Sequence, residues 1–311
     1  MAKVLAVFGA TGLQGGSVVR AVLADPELSR EFKIRAVTRD ATKPAAKALA
    51  ALGVDVVEAD MATAQQAAPA VEGAHTVFIV TDYWQTRSRA IEVAHGKAAA
   101  DAARAARVAH IVFSSLIDVA AVTRGRLAHV AHFDAKAEIE RHVRASGVPA
   151  SFFHAGSYMT TVVRMLWRRD ARGVYEFAIP ADPATAQLAL FDVADTGKFV
   201  KAAIKSFPAL VGKHILGASG YYTADAAAAE FAEATGLPAR AVRVPDQHFL
   251  SAWPDPQTAL GILENFQLME QEGIFAGEDL ARSLALVEDR PTSWAEWVAH
   301  HKESFVRGDM I

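Results

Sequence analysis

The sequence predicts an α/β protein with a doubly wound parallel sheet, followed by a second, smaller α+β domain. In the first half of the chain, short apolar runs alternate with alanine-rich segments of helical spacing. The runs are continuously rich in Val, Ile and Phe, which is typical of strands buried on both faces of a parallel sheet. A cluster of glycines follows the first run at residues 9–16, where such a sheet makes its first turn from strand to helix.

Six apolar runs are predicted to form the strands of this sheet. Several of the helical segments between them end at a helix-breaking residue such as Pro26, Gly53 or Gly147. The predicted strands are residues 3–8, 33–39, 54–60, 75–82, 110–116 and 149–156, and the predicted helices are 16–26, 43–53, 90–108 and 132–147.

The regular alternation ends after Gly156, which predicts a domain boundary there. Residues 1–156 are predicted to form the sheet domain, and residues 157–311 a smaller domain built over the open edge of the sheet. A segment near 191–206 is predicted to return to the first domain as one more packing helix.

The second half contains weaker patterns. YMTTVVRMLWRRDARG and TADAAAAEFAEATG are predicted to be helices, the second with Thr223 as its N-cap. VYEFAIP and HILGAS are predicted to be strands, and PARAVRVPDQHFL is expected to add another. TSWAEWVAHHKESF is predicted to be an amphipathic helix in which Trp294, Trp297 and Phe305 pack inward.

Composition narrows the function classes. The net charge is −3, which argues against a nucleic-acid binder that works through a basic face. The chain has no cysteine, so disulfides and thiolate metal sites are excluded. No stretch approaches the ~20 apolar residues of a membrane span, and the first apolar run is too short for a secretion signal. We therefore expect a soluble protein of the cytoplasm, and also of the nucleus, with no membrane or direct nucleic-acid contact.

The glycine spacing between the first strand and the first helix predicts a dinucleotide-binding turn of the Rossmann type. The spacing is Gly9-x-x-Gly12-x-x-Gly15. The first glycine permits a tight turn, the second lets a phosphate approach the backbone, and the third lets the helix pack closely against the strand. The start of the helix then offers free N–H groups and a positive dipole end to a pyrophosphate.

The residues after the second strand indicate which dinucleotide binds. An NAD binder carries an acidic residue at the end of this strand, whereas an arginine suits the 2′-phosphate of NADP. The acidic position holds Thr38 and is followed by Arg39, although Asp40 could still contact a ribose. We expect NADP(H) to bind in preference to NAD(H). The predicted contacts at this end of the cofactor are Arg39, Lys43, Asp60 and Met61, the last two beside the adenine ring.

Several longer motifs carry a family resemblance. GATGLQGG, VTRD, VEADM, FIVTDYW and AHFDAK occur in this order, and FDVADTGKFV and SWAEWVAHHK follow them. Together they resemble the NmrA-like family, which belongs to the atypical short-chain dehydrogenase/reductase superfamily. Members of this family include a regulator of nitrogen metabolism, an NADPH-sensing protein and reductases, so the resemblance leaves both a regulatory and a catalytic use open.

The resemblance also implies where an NADP-type cofactor would lie. It implies contacts from the glycine turn, from the ends of the second, third, fourth and sixth strands, and from one lysine. The implied contact residues are Gly9, Ala10, Thr11, Gly12, Leu13, Gln14, Gly15, Arg39, Lys43, Asp60, Met61, Thr81, Asp82, Tyr83, Lys136, Gly156, Ser157, Tyr158 and Met159.

The catalytic positions of the superfamily are only partly filled. Short-chain dehydrogenases use a serine at the end of a strand and Tyr-x-x-x-Lys on a helix, where the spacing puts both side chains on one face. This chain has Lys136, and Ser114 and Ser115 close the fifth predicted strand. The residue four positions before the lysine is His132 rather than tyrosine.

His132 has three interpretations. The proton relay is lost and the fold only binds cofactor, or the imidazole itself donates the proton, or His132 is a surface residue at a helix start. An imidazole titrates near pH ~6.5, but a neighbouring Lys136 would lower its pKa and weaken it as an acid. Tyr83 and Tyr158 are alternatives for a relocated tyrosine.

Two hypotheses of function follow. The first is an NADP(H) sensor that regulates a protein partner, and the second is an NADPH-dependent reductase of a small carbonyl, quinone or imine. No metal set is expected, because the histidine pairs 129/132 and 300/301 lack further ligands at a recognisable spacing. The oligomeric state is open, a dimer included.

Overall fold

A seven-stranded parallel sheet forms the centre of the protein in the computed structural model, which describes residues 2–309. The order across the sheet is β11–β6–β5–β4–β1–β2–β3, and every neighbouring pair is parallel. The strands of the described residues are β1 (Lys3–Val7), β2 (Phe32–Thr38), β3 (Asp55–Glu58), β4 (Thr76–Ile79), β5 (His110–Ser115), β6 (Ala150–Ala155), β7 (Ser157–Tyr158), β8 (Trp167–Arg169), β9 (Tyr175–Ile179), β10 (Leu188–Phe191), β11 (His214–Gly217), β12 (Gly220–Tyr222) and β13 (Ala239–Arg243).

Helices cover both faces of the sheet. They are α1 (Leu13–Ala24), α2 (Leu28–Glu31), α3 (Pro44–Ala51), α4 (Ala64–Val71), α5 (Tyr83–Thr86), α6 (Arg89–Ala105), α7 (Val119–Val122), α8 (Ala131–Ala145), α9 (Met159–Leu166), α10 (Thr196–Lys205), α11 (Ala224–Thr235), α12 (Asp246–Ser251), α13 (Pro256–Gln271), α14 (Ala281–Leu284), α15 (Trp294–His300) and α16 (Lys302–Arg307), with a 3₁₀ turn at Val193–Asp195 before α10. Helices α1 and α10 share one core with the sheet, and α4, α6 and α8 share the other. The predicted doubly wound parallel sheet is therefore confirmed.

The sheet has one strand more than the six predicted. HILGAS was expected to be a strand of the second half, and its residues His214–Gly217 instead pair with β6 as the outer strand of the central sheet. The reason is that β6 would otherwise present an open, apolar edge, which folded proteins avoid. Ile215 and Leu216 are buried in this position.

The segment 191–206 packs tightly against the first helix. Ser17 on α1 donates from its Oγ to the Ala194 carbonyl (2.5 Å) and accepts from the Gly197 amide (2.8 Å). A Cβ on Gly197 would lie 2.4 Å from the Cβ of Ala21, so only glycine lets the two helices approach this closely. The start of α10 is therefore fixed to the helix that follows the glycine turn.

The prediction of one helix over YMTTVVRMLWRRDARG is wrong in its second half. Helix α9 ends at Leu166, and Trp167–Arg169 forms strand β8, which pairs antiparallel with β9. Trp167 is buried and its ring stacks on Phe177 with centroids 5.0 Å apart. Trp167 belongs to the apolar core formed mainly by the second half of the chain. Burial of its large ring there stabilises the strand more than the helical spacing of the neighbouring residues stabilises a helix.

A second apolar core lies mostly within the second half of the chain, and Val119, Leu127, Val130 and Phe133 of the first half also belong to it. Two three-stranded sheets, β12–β10–β7 and β13–β9–β8, enclose it together with α11, α13 and α15. Thr223 caps α11 as predicted, and the C-terminal segment is helical with Trp294, Trp297 and Phe305 buried. Helix α13 was not predicted, although Asp255 caps it and Pro256 occupies its first turn.

Candidate functional site: a dinucleotide cradle

The turn from β1 to α1 has the geometry that the three glycines predict. Gly9 has a φ of +65°, and the Gly12 amide donates to the Gly9 carbonyl at 2.8 Å. A Cβ on Gly15 would lie 2.2 Å from that carbonyl oxygen, so the close approach of helix and turn requires glycine there. Helix α1 has neither a side-chain cap nor an acidic residue in its first turn. Its N–H groups thus suit a phosphate.

The other residues of the turn divide into buried and exposed ones. Ala10 is buried in the core below the turn, whereas Thr11 and Leu13 face outward, Leu13 with 64% of its surface exposed. Gln14, in the first turn of α1, is buried, and its Oε1 has no hydrogen-bond partner among the described residues. An exposed backbone turn above a buried core is the arrangement that a dinucleotide cradle needs.

The end of β2 presents Arg39 to solvent. Thr38 is buried, and the exposed Arg39 donates from Nη1 to Gln85 Oε1 at 2.9 Å. The carboxylate of Asp40 faces its own loop, where it accepts from the Thr42 hydroxyl (2.6 Å) and amide (2.9 Å). These bonds lower the pKa of Asp40, so it is ionised and occupied within the loop. Lys43 is exposed at the start of α3.

Asp60 and Met61 follow β3 on the same edge of the sheet. Both are half-buried, and Asp60 Oδ1 accepts from the Ala62 amide at 2.9 Å. Because the carboxyl ends of parallel strands lie at one edge, the residues after β1, β2 and β3 form a continuous row.

Lys136 lies in a buried ion pair with Glu92. Its Nζ donates to Glu92 Oε1 (2.8 Å), to the Thr81 carbonyl (2.9 Å) and to Thr81 Oγ1 (2.9 Å). The Thr81 hydroxyl in turn donates to Glu92 Oε1 at 2.7 Å. The Lys136 side chain is 13% exposed and that of Glu92 is fully buried. An ammonium has three N–H donors, so these contacts use all of them within the protein.

His132 is half-buried and packs among aromatic rings. The Tyr83, Trp84 and Phe133 rings have centroids within 5.8 Å of it, and Trp84 is the nearer of the two from α5 at 5.1 Å. Burial, and secondarily the Lys136 charge, lower the pKa of His132 to about 3. The imidazole is therefore neutral near pH 7, which does not fit the interpretation of an imidazolium acid.

Ser115 is turned toward helix α8. It is fully buried at the end of β5, and its hydroxyl lies 3.4 Å from the Lys136 carbonyl oxygen. It also hydrogen-bonds Glu140, a residue further along α8. Ser115 thus contacts the backbone of Lys136, and the side chains of Ser115, His132 and Lys136 each make contacts inside the protein.

The residues after β4 form a short cap over this region. Asp82 caps α5 by accepting from the Trp84 amide at 3.1 Å. The Tyr83 ring lies edge-on to that of Trp84, 5.2 Å away, and burial raises the pKa of Tyr83. Trp84 is 49% exposed, so one ring of the cluster reaches solvent.

The residues after β6 play different parts. A Cβ on Gly156 would lie 2.4 Å from the Ala189 carbonyl oxygen, so strand packing requires this glycine. Ser157 and Tyr158 form β7, and Met159 is fully buried in the second core, which leaves only its backbone for a ligand. The Tyr158 hydroxyl is hydrogen-bonded to the Gln14 amide, which joins the end of β6 to the glycine turn.

Three residues of this site were not among the predicted contacts. Glu92 and Gln85 contact Lys136 and Arg39, and Trp84 packs on His132. Glu92 lies in the first turn of α6, where an acidic residue is ordinary, so nothing marks it as buried.

Glu140 on α8 forms a cluster with His154 on β6 and His214 on β11. Their ligand atoms lie within 4.8 Å of one another, although the sequence positions gave no metal spacing. Burial opposes ionisation of Glu140, but hydrogen bonds from both histidines hold its pKa well below the usual range. Arg144 donates to Glu140 Oε1 from Nε (2.9 Å) and Nη2 (2.6 Å). This guanidinium supplies the positive charge that the carboxylate needs.

Comparison with known proteins agrees with the fold. An NmrA-like oxidoreductase, malD of Malbranchea aurantiaca, is 30% identical over 268 residues, which cover 81% of this chain and 77% of that protein. The crystal structure of NmrA, a negative transcriptional regulator, in complex with NADP has a TM-score of 0.80 at 21% identity, covering 99% of this chain and 97% of that one. The Escherichia coli NADPH-dependent quinone oxidoreductase QOR2 has a TM-score of 0.75 at 22% identity, with 96% and 99% covered.

Within residues 2–309, no helix is both long and apolar enough to cross a membrane. The sequence pattern that defines the NmrA-like family matches residues 1–298, nearly the whole of the chain. Together with the glycine cradle and the parallel sheet, this match shows that the chain belongs to the NmrA-like family.

Proposed function

We propose that this protein is an NADP(H) sensor that regulates a protein partner and has little dehydrogenase activity of its own. The observation that carries the proposal is the state of the two groups that should run a proton relay. Every N–H donor of Lys136 is bound within the protein, and His132 is a neutral imidazole among aromatic rings. A site built in this way lacks the superfamily's proton relay at both of these positions.

Binding of a dinucleotide is supported by the cradle itself. The glycine turn, the uncapped start of α1 and the row of residues after β2 and β3 suit a pyrophosphate and an adenosine. Arg39 and Lys43 provide positive charge where a 2′-phosphate would lie, which favours NADP(H). NmrA has been crystallised with NADP and also with NAD, so the fold itself accepts either form.

We assign the two predicted parts different tasks. Residues 1–156, with the segment near 191–206, would hold the cofactor, and residues 157–311 would carry the partner-binding surface. The protein would act through protein contacts in the cytoplasm or nucleus, without touching nucleic acid, because its net charge is −3.

The test is NADPH oxidation against a panel of quinones, carbonyls and imines. We expect turnover far below ~10 per second, the middle of the normal enzyme range. A turnover near that value with any member of the panel would reject the sensor proposal.

One observation favours a reductase as the second candidate. Tyr158 places a phenol, joined to Gln14, at the edge where the glycine turn meets the end of β6. This phenol would supply a proton to a reduced carbonyl or imine. If the panel gives turnover, Tyr158→Phe should abolish it and His132→Ala should not.

A further inference from the structure

The contact between Arg39 and Gln85 crosses the edge of the sheet. Arg39 follows β2 and Gln85 lies on α5 after β4, and these two strands flank β1 on either side. The hydrogen bond of 2.9 Å between them therefore bridges the carboxyl end of β1, where the glycine cradle lies. Gln85 was not among the predicted cofactor contacts.

The chemistry of this contact suits a phosphate reader. A guanidinium carries five N–H donors, and the bond to Gln85 uses one on Nη1. The remaining donors include a pair that can fork onto a phosphate. Gln85 accepts without a charge, so it holds the guanidinium in place but does not compete with a phosphate as a carboxylate would. Both side chains are exposed, so a ligand can reach them.

Gln85 also belongs to the element that covers His132. Tyr83 and Trp84 precede it on the four-residue helix α5, and both rings pack on His132. A change in the position of Arg39 would reach these rings through one side chain. We propose that Gln85 is a specificity-determining residue that holds Arg39 for the 2′-phosphate, and that this bond transmits occupancy of the 2′-phosphate site to α5. The inference rests on the NADP(H) preference proposed above.

Calorimetry tests the first part. Dissociation constants for NADP⁺ and NAD⁺ are measured for the wild type, Gln85→Ala and Gln271→Ala, an exposed glutamine at the end of α13. We expect Gln85→Ala to weaken NADP⁺ by about three- to tenfold, the effect of one modest hydrogen bond, and to leave NAD⁺ unchanged. Gln271→Ala should change neither constant.

A second background shows whether Gln85 acts through Arg39. In the Arg39→Ala background, Gln85→Ala should not weaken NADP⁺ binding further, because the arginine that Gln85 positions is absent. An equal loss in both backgrounds, or no loss in either, would overturn the inference.

Fluorescence tests the second part with fragments that lack nicotinamide. The fluorescence of Trp84 is obtained as the difference between the tryptophan emission of the wild type and that of Trp84→Phe. It is measured with 2′,5′-ADP and with 5′-ADP. We expect 2′,5′-ADP to change this fluorescence and 5′-ADP to leave it unchanged, and Gln85→Ala to remove the effect. An unchanged Trp84 fluorescence at saturating 2′,5′-ADP would overturn the transmission.

The outcomes separate this inference from the proposed function. A wild type that prefers NADP⁺ while Gln85→Ala keeps the full preference defeats only the role of Gln85. Rapid NADPH turnover defeats only the sensor, because Gln85 would then set the cofactor preference of an enzyme. Equal binding of NADP⁺ and NAD⁺ by the wild type defeats the preference on which both rest.

Discussion

Lys136 and Glu92 form a buried ion pair that joins α8 to α6, with Nζ and Oε1 2.8 Å apart. The Thr81 hydroxyl and carbonyl complete the shell of the ammonium. Glu92 Oε2 has no hydrogen-bond partner among the described residues, so the hydrogen bonds of this carboxylate come from Lys136 and Thr81. Lys136, an expected cofactor contact, thus makes the hydrogen bonds of its ammonium within the protein.

Removal of Glu92 should destabilise the protein strongly. We expect Glu92→Leu to lower the free energy of unfolding by about 3–5 kcal/mol, because it leaves the Lys136 charge buried without a partner. The double variant Glu92→Leu, Lys136→Met should recover most of the loss. Urea unfolding measures both.

The exposed pair Lys3–Glu31 is the matched control for this experiment. Its side chains are 43% and 39% exposed, and its atoms are 2.6 Å apart. Glu31→Leu should change the free energy of unfolding by less than about 1 kcal/mol. If Glu92→Leu costs no more than this control, the pair is not buried as described.

The contrast between this pair and the glycine turn explains what the sequence could predict. Gly9, Gly12 and Gly15 act on their own neighbours in the chain, so their spacing is enough to predict the cradle. The partner of Lys136 is 44 residues earlier on another helix, and only the packing of α6 against α8 brings the two together. Gln85, the hydrogen-bond partner of Arg39, is likewise distant in the sequence, by 46 residues.

The same limit applies to the strands. The first six apolar runs are continuous, and predicted helices separate most of them, so their type could be predicted. The pairing of β11 with β6 depends on which edge of the sheet stays open, and the strand at Trp167 depends on a core formed by distant rings. Neither feature could be predicted from the spacing of residues close together in the sequence.

Arg39→Glu should reduce the preference for NADP(H). The substitution replaces a guanidinium by a carboxylate where the 2′-phosphate is expected, so attraction becomes repulsion. We expect NADP⁺ to bind at least about tenfold more weakly, a change of about 1.4 kcal/mol, with little effect on NAD⁺. Calorimetry with both cofactors decides, and an unchanged NADP⁺ affinity would remove Arg39 from the assignment.

His132 should make the protein less stable in mild acid. Its pKa is about 3 in the folded protein, against about 6.5 for a free imidazole, so the unfolded chain binds the proton more readily between these values. The stabilisation is complete above pH ~6.5 and is lost as the pH falls toward 3. At pH 5, we expect the wild type to have lost about 2 kcal/mol of stability through this group.

The variant His132→Phe isolates this contribution. It keeps a ring among Tyr83 and Trp84 and has no titrating group. Urea unfolding at pH 7 and pH 5 should show a smaller acid loss in the variant than in the wild type. The buried His110, whose pKa burial lowers to about 4, is present in both proteins and cancels in the comparison. Parallel losses in the two proteins would contradict a neutral His132 with a lowered pKa.

Cofactor binding should slow hydrogen exchange in two segments, 81–89 and 116–130. Both follow the carboxyl ends of strands, β4 and β5, where a dinucleotide lies in this fold. The first contains Gln85 and the rings on His132, and the second leads into α8. A ligand shifts an equilibrium only by its different affinity for the two states, and useful couplings are about 1–3 kcal/mol.

That coupling gives a measurable change in exchange. A stabilisation of about 1.4 kcal/mol slows exchange through local opening about tenfold in the affected segments. Strand residues 3–8 and 110–115 are the internal reference, because they are held in the sheet with or without ligand and should change little. Mass spectrometry measures the exchange rates of the two segments and of these strands without ligand and at saturating NADP⁺ or NAD⁺. If both segments exchange as fast with NADP⁺ as without it, the cofactor does not bias the protein between two states, and a static binder or an enzyme remains.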